Sequence, residues 1–268
     1  MVFVDTHTHL YLEEFDNDRD QVIRNAIDKG VKYIFLPNID SSSIDGMMGL
    51  SVNFPGHCFP MMGLHPTSVK ANYLEELAVV EEHLSSSGNR FWAIGEIGVD
   101  LYWSREFESC QLSAFSFQLD LAVKYNLPVV IHTRNSFEQA VNVIEEKNNP
   151  AIRGIFHCFG GSLKQAEKAI ELGFLLGIGG IITYKNSGLQ QVVSEIAPEH
   201  LVLETDAPFL PPVPYRGQRN ESTYIPVIAQ KIAEIKGVSI EVISQITTEN
   251  ACKLFKINPS HPHTLIPS

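Results

Sequence analysis

Eight short apolar, β-rich runs separated by stretches of helical periodicity restrict this chain to very few architectures. The runs are Val2–Val4, Lys32–Leu36, Phe59–Met62, Phe91–Ile94, Pro128–Ile131, Gly154–Phe156, Phe174–Leu176 and Leu201–Leu203. They start roughly every 20 to 35 residues. Helical periodicity marks Arg19–Lys29, Glu75–Leu84, Phe107–Tyr125, Phe137–Glu146, Leu163–Leu172, Leu189–Ile196, Ile225–Ile235 and Ile240–Phe255. Gly30, Gly173 and Gly237 stand where helices should stop. Asn126-Leu127-Pro128 ends another, because the residue before proline avoids helical geometry. Strands alternating with helices in this way imply parallel β-α-β units. Eight of them favour a closed α/β barrel of the (β/α)8 TIM type over an open sheet.

The length of 268 residues suits one such barrel, which typically needs about 250. No linker or composition shift divides the chain, so residues 1–257 read as a single domain. Residues 258–268 read as a proline-rich, aperiodic tail. Its His261-Pro262-His263 has no strand pattern around it and reads as coincidence. The cysteines Cys58, Cys110, Cys158 and Cys252 form no C-x-x-C pair and point to reduced thiols of a cytoplasmic protein. No segment resembles a targeting signal. The longest nearly apolar run, Gly173–Ile182, is half of the ~20 residues a membrane helix needs. Nothing calls for a membrane or an obligate protein partner. The formal charge of −11 argues against a broad basic nucleic-acid groove, yet leaves room for a local cationic site.

In a parallel barrel, functional groups collect at the C-terminal ends of the strands. Strand one runs into Asp5-Thr6-His7-Thr8-His9, where two imidazoles two residues apart face one side. Strand four runs into Gly95-Glu96-Ile97-Gly98-Val99-Asp100, with glycines leaving little bulk around the Glu96 carboxylate. Strands five, six and eight run into His132, His157 and Glu204-Thr205-Asp206. Singly, each is readily a hydrogen-bonded structural histidine or a solvated carboxylate. Jointly, His7, His9, Glu96, His132, His157 and Asp206 place metal-binding groups at one end of five strands. Imidazole with carboxylate suits zinc, manganese, iron or magnesium-type chemistry rather than soft thiolate chemistry. Six ligands exceed the three that one catalytic zinc usually takes, and would serve two ions about 3.5–4 Å apart. Such a pair lowers the pKa of bound water to about 7, giving a hydroxide nucleophile for phosphorus or a carbonyl carbon. Glu96 and Asp206 are the residues expected to be indispensable to turnover, with Glu204 supporting a ligand from behind.

Substrate contacts are expected from His65, Arg134, Arg216 and Tyr102. His65, in Gly63-Leu64-His65-Pro66, either donates to a phosphate or orders its own loop. Arg134 follows His132 by two residues, and guanidinium binds phosphate oxygens bidentately. Arg216 and Arg219 lie in the loop after strand eight, as substrate contacts or as surface charges. Tyr102 and Trp103 either stack on a base or pack their loop.

With these motifs in this order, the chain resembles the TatD family of metal-dependent deoxyribonucleases, within the amidohydrolase-like barrels, from Val4 to about Phe255. The resemblance rests on the segments Asp5–His9, Gly63–Pro66, Gly95–Asp100, His132–Arg134, His157–Gly161, Glu204–Leu210 and Pro212–Asn220. It implies that the six ligands hold two divalent ions, Mg²⁺, Mn²⁺ or Zn²⁺, with Glu96 bridging. It also implies 3′→5′ exonuclease action on single-stranded DNA or frayed ends, with RNA a further polymer substrate. A D-aminoacyl-tRNA deacylase, or another metal-dependent esterase or amidohydrolase, would use the same ligands, and the sequence does not separate them. A non-catalytic metal-binding scaffold is disfavoured because the ligand set is complete.

Overall fold

The computed structural model describes residues 1–88, 90–258 and 261–265, with residues 258 and 261–265 described by backbone alone. Eight parallel strands alternate with helices: β1 (Phe3–Asp5), α1 (Arg19–Asp28), β2 (Val31–Pro37), α2 (Ile44–Asn53), β3 (Cys58–Met61), α3 (Tyr73–Ser85), β4 (Ile94–Asp100), α4 (Glu108–Tyr125), β5 (Val129–Arg134), α5 (Phe137–Lys147), β6 (Gly154–Phe156), α6 (Leu163–Glu171), β7 (Leu175–Ile178), α7 (Leu189–Glu195), β8 (Leu201–Leu203), α8 (Ile225–Lys236) and α9 (Ile240–Phe255). The strands form two parallel ladders, β1-β2-β3 and β4 to β8 in order. Backbone hydrogen bonds bridge both seams. Met62 N donates to Ala93 O at 3.1 Å and Gly95 N to Met62 O at 2.9 Å. Across the other seam, Thr6 N donates to Leu203 O and Asp206 N to His7 O, each at 2.9 Å. The result is the expected TIM-type barrel.

Alternation along the strands sorts the apolar side chains into two layers. Val4, Tyr33, Phe35, Phe59, Met61, Val130, Ile155 and Val202 fill the barrel interior. Their neighbours Phe3, Ile34, Leu36, Val129, Ile131, Phe156, Leu201 and Leu203 pack against the helices. The interior is floored by α9. Phe255 stacks on Phe35 at 3.8 Å between ring centroids, and Asn250 Nδ2 donates to Pro198 O and Leu201 O just below β8. The floor frees the opposite end for chemistry.

Three expectations need correction. Helix α2 lies between β2 and β3, where no helical pattern was evident. β4 does not stop at Ile94 but continues to Asp100, and β5 continues to Arg134. They stay paired through Gly98–His132, Val99–Thr133 and Asp100–Arg134, so Glu96 and His132 sit within strands. The glycines of β4 serve this pairing rather than opening space at the carboxylate. A Cβ on Gly98 would lie 2.1 Å from His132 O, and one on Gly95 would lie 2.9 Å from Val130 Cβ. Finally, the tail contains strand β10 (His261–Leu265), antiparallel to β9 (Ile257–Asn258). Ile257 is buried with the barrel floor and anchors that ladder. His261-Pro262-His263 therefore does have a strand around it, and what its imidazoles do lies outside the described residues.

Candidate metal centre

β1 ends at Asp5, yet the chain continues as if it were a strand between its neighbours. Thr8 N donates to Phe35 O beside β2, and His9 N to Ala207 O beside β8. His7 and His9 therefore keep the two-residue alternation and converge, with their Nε2 atoms 3.2 Å apart. The Asp5 carboxylate secures this turn from below. It accepts from Thr205 N, Thr205 Oγ1, Ser222 Oγ and His7 N. Burial pushes that carboxyl up to about 7, against the lowering effect of those bonds.

The six expected ligands meet at the mouth in two groups that share Glu96. Glu96 Oε2 lies 3.1 Å from His7 Nε2 and 3.5 Å from His9 Nε2. Asp206 Oδ1 lies 3.6 Å from each of the same two nitrogens. Glu96 Oε1 instead faces His132 Nδ1 at 2.9 Å, His157 Nε2 at 2.9 Å and His65 Nε2 at 3.2 Å. Bonds of about 2.0–2.2 Å to one ion put its donor atoms roughly 3–3.6 Å apart, so these separations suit a shared cation.

Hydrogen bonds on the far side of His9 and His132 show which of their nitrogens can ligate, whereas Nδ1 of His7 and of His157 has no hydrogen-bond partner. Tyr11 Oη donates its single proton to Pro37 O at 2.5 Å, so its contact with His9 Nδ1 at 2.8 Å has the imidazole as donor. Nε2 of a neutral His9 then keeps its lone pair for the centre. Asp100 Oδ2 likewise accepts from His132 Nε2 at 2.8 Å, leaving Nδ1 to face Glu96. Glu204, fully buried, sets Oε1 3.5 Å from His157 Nδ1 and accepts from Cys158 N. A Cβ on Gly177 would lie 2.1 Å from Glu204 Oε2, so only glycine admits this carboxylate. Acceptors behind imidazoles fix tautomer and orientation in this way where such rings bind a metal, as the bonds of His9 and His132 would here.

His65 is wired in the opposite sense. Its Nδ1 accepts from Thr67 N at 3.1 Å, so the neutral ring carries its proton on Nε2. That nitrogen points at Glu96 as a donor, not as a lone pair. The ring offers an N–H to the mouth rather than a ligand.

The field at the mouth matches this arrangement. Burial opposes charge on Glu96, but His65, His157 and His7 outweigh it and hold the carboxyl well below its ordinary range. Burial likewise opposes ionisation of Asp206, which His9 and His157 overcome. Burial opposes protonation of His9, yet Asp206 and Glu96 lift the imidazole to about 9. Protons thus take the place of positive charge that a divalent ion would bring, and metal binding would release them.

The remaining candidates lie around the rim. Arg134 is exposed, with Cζ 3.6 Å from the Tyr102 ring centroid and 5.4 Å from that of Trp103. Arg216 is also exposed, 4.6 Å from the Tyr184 ring. Arg219 is not a substrate contact. It binds both Asp18 oxygens at 2.8 and 2.7 Å and Glu221 at 3.0 Å, clamping the loop after β8 to the start of α1. Sequence reasoning missed Tyr11 and Asp100. Asp100 had a signal in the acidic end of the Glu96 segment, whereas Tyr11 had only its place two residues beyond His9.

Fold and donor set together define a metal-dependent hydrolase of the amidohydrolase-like barrels. Residues 4–256 match the family described as TatD related DNase. An uncharacterized metal-dependent hydrolase of Bacillus subtilis, YabD, is 38% identical over 95% of this chain and 99% of its own. The Escherichia coli hydrolase YcfH is 30% identical over 97% of this chain and 98% of its own. The crystal structure of the Escherichia coli TatD homologue YjjV superposes with a TM-score of 0.90 at 29% identity, covering 96% of this chain and 98% of that one. The chain belongs to the TatD family of metal-dependent hydrolases. Among the described residues, no helix is long and apolar enough to cross a membrane.

Proposed function

We propose that this protein hydrolyses phosphodiester bonds at the ends of single-stranded or frayed DNA, as a 3′→5′ exonuclease, with RNA as a second polymer substrate. The observation that carries the reading is Glu96, whose two oxygens face separate donor groups beside a rim bearing Arg134. His7, His9 and Asp206 would hold one divalent ion with Glu96 Oε2. His132 and His157 would hold a second with Oε1. Mg²⁺, Mn²⁺ or Zn²⁺ bound there would supply an activated water and neutralise charge developing on phosphorus.

The chain's own residues do the rest. Tyr11, Asp100 and Glu204 hold the ligating rings in orientation. His65 Nε2–H donates to a phosphoryl oxygen at the mouth, where charge grows as the bond breaks. Arg134 and Arg216 pair with phosphates upstream of the scissile bond. The family resemblance supports both the polymer substrate and the 3′→5′ direction.

The test is product analysis on end-labelled single-stranded DNA with Mg²⁺, Mn²⁺ or Zn²⁺ supplied in turn, beside RNA and a D-aminoacyl-tRNA. Mononucleotides released stepwise from the 3′ end, and lost with EDTA, are expected. Deacylation of the tRNA without cleavage of any polynucleotide would replace the reading with an esterase.

A further inference from the structure

Trp103 is 73% exposed and follows Tyr102, itself 50% exposed, just after β4. An indole so open at the rim of a catalytic mouth forgoes the burial that normally stabilises a large aromatic. Packing of its own loop does not account for it. Arg134 approaches the indole only at 5.4 Å from its centroid and bears more closely on its neighbour. The Arg134 guanidinium lies 3.6 Å from the Tyr102 centroid and so covers one face of that ring. The two aromatic rings meet edge to face at 4.9 Å and 88°, so Tyr102 props the indole rather than stacking on it.

This cluster is tied to the centre by short bonds. Tyr102 N donates to Asp100 Oδ1 at 3.0 Å, while Asp100 Oδ2 accepts from His132 Nε2 at 2.8 Å. Arg134 follows His132 by two residues in β5 and pairs in register with Asp100. An indole plate and a guanidinium are thus held together at a fixed place relative to the proposed ligands. A nucleotide offers the complementary pair, a flat base and an adjacent phosphate.

We propose that Trp103 is the base-stacking plate of the substrate site and that Arg134, braced on Tyr102, takes the phosphate next to that base. The inference rests on the nucleic-acid reading above and narrows it. The site grips a terminal nucleotide by its base as well as its backbone, and Tyr102 acts through Arg134 and Trp103 instead of touching the base. Stacking is indifferent to base identity, so the plate favours ends of any sequence over ends lacking a base.

The test pairs variants of the protein with variants of the substrate. Oligonucleotides carrying an ordinary or an abasic 3′-terminal residue are compared on the wild type, Trp103→Ala and Trp103→Phe. Trp103→Ala is expected to raise KM about 10- to 100-fold for the ordinary end, with kcat little changed. It should leave the abasic end unaffected, and Trp103→Phe should recover most of the loss. A second readout needs no turnover. The only other tryptophan, Trp92, is 6% exposed in the core, so quenching of emission by single-stranded DNA reports on Trp103. In an Asp206→Asn background, quenching is expected with the ordinary end and is expected to vanish with the abasic end.

Equal effects of Trp103→Ala on both ends would overturn the proposal while leaving nuclease action intact. So would a change in self-association on gel filtration without any change in DNA affinity. Base-dependent quenching in a protein that cuts no polynucleotide would keep the plate and remove the exonuclease reading.

Discussion

Which nitrogen of each imidazole is already engaged divides the histidines of the mouth into two kinds. His9 and His132 donate outward, to Tyr11 and Asp100, and turn lone pairs inward. His65 accepts from Thr67 N and turns an N–H inward. His65→Ala is therefore expected to leave metal content unchanged and to lower kcat by about 10²- to 10³-fold, as for loss of one donor to a developing oxyanion. Metal analysis of the purified variant beside its kinetics checks this, and loss of metal would make His65 a ligand. Tyr11→Phe and Asp100→Asn should do the converse. The first removes an acceptor outright and the second leaves one acceptor oxygen for two donors, Tyr102 N and His132 Nε2, so metal affinity should fall about 10- to 100-fold in competition with a chelating dye. An unchanged affinity in both would mean that the rings hold their orientation without them. That the candidate ligands share one end of the barrel is legible from sequence, because the apolar runs give way there to histidines and carboxylates. The sorting of His65 from the others is not legible. It depends on Thr67 N, two residues on, meeting Nδ1 in a tight turn that no composition rule specifies.

At the level of elements, most of the barrel was readable because alternating β-runs and helical periods survive without tertiary context. β6 and β8 fall on their expected bounds. Helix α2 was hidden by its own composition. Ile44–Asn53 carries Gly46, Gly49 and a terminal Asn, all poor helix formers, and its helicity comes from burying Ile44, Met47 and Leu50. β4 was curtailed by the opposite confusion, since Gly95 and Gly98 read as punctuation when they are what lets β4 lie against β5. Gly177 in β7 is a comparable case with a measurable consequence. A methyl there would meet Glu204 Oε2 at 2.1 Å, and Glu204 is the carboxylate behind His157. Gly177→Ala is expected to cost about 1–3 kcal/mol by urea unfolding, as overpacking does. It should also weaken metal binding, because the displaced carboxylate no longer orients the ring. Loss of stability with metal affinity intact would show that His157 is held by its stacking on His7, 3.8 Å away, and not by Glu204.

Over the whole molecule, the proposed function asks an acidic protein to hold an acidic polymer. The net charge of −11 repels DNA at long range, so the proposed substrate would have to be held by a few contacts close to the candidate metal centre. The structure removes one candidate for those contacts. Arg219 is committed to Asp18 and Glu221, which leaves Arg134 and Arg216 as the rim arginines singled out for phosphate. A protein that neutralises Z phosphates of a single strand shows a slope of log K against log salt of about −0.7Z. Engagement of two or three phosphates predicts a slope near −2. Affinity should be measured by titration across a salt series in the Asp206→Asn background with metal saturating, so that turnover does not distort the isotherm. Arg134→Ala should then make the slope shallower by roughly 0.7, the share of a single phosphate. Trp103→Ala should lower affinity at every salt concentration without changing the slope, because stacking releases no counterions. A wild-type slope steeper than about −5 would require an extended basic track, and recognition of a strand end by a compact site would then be the wrong description of this enzyme.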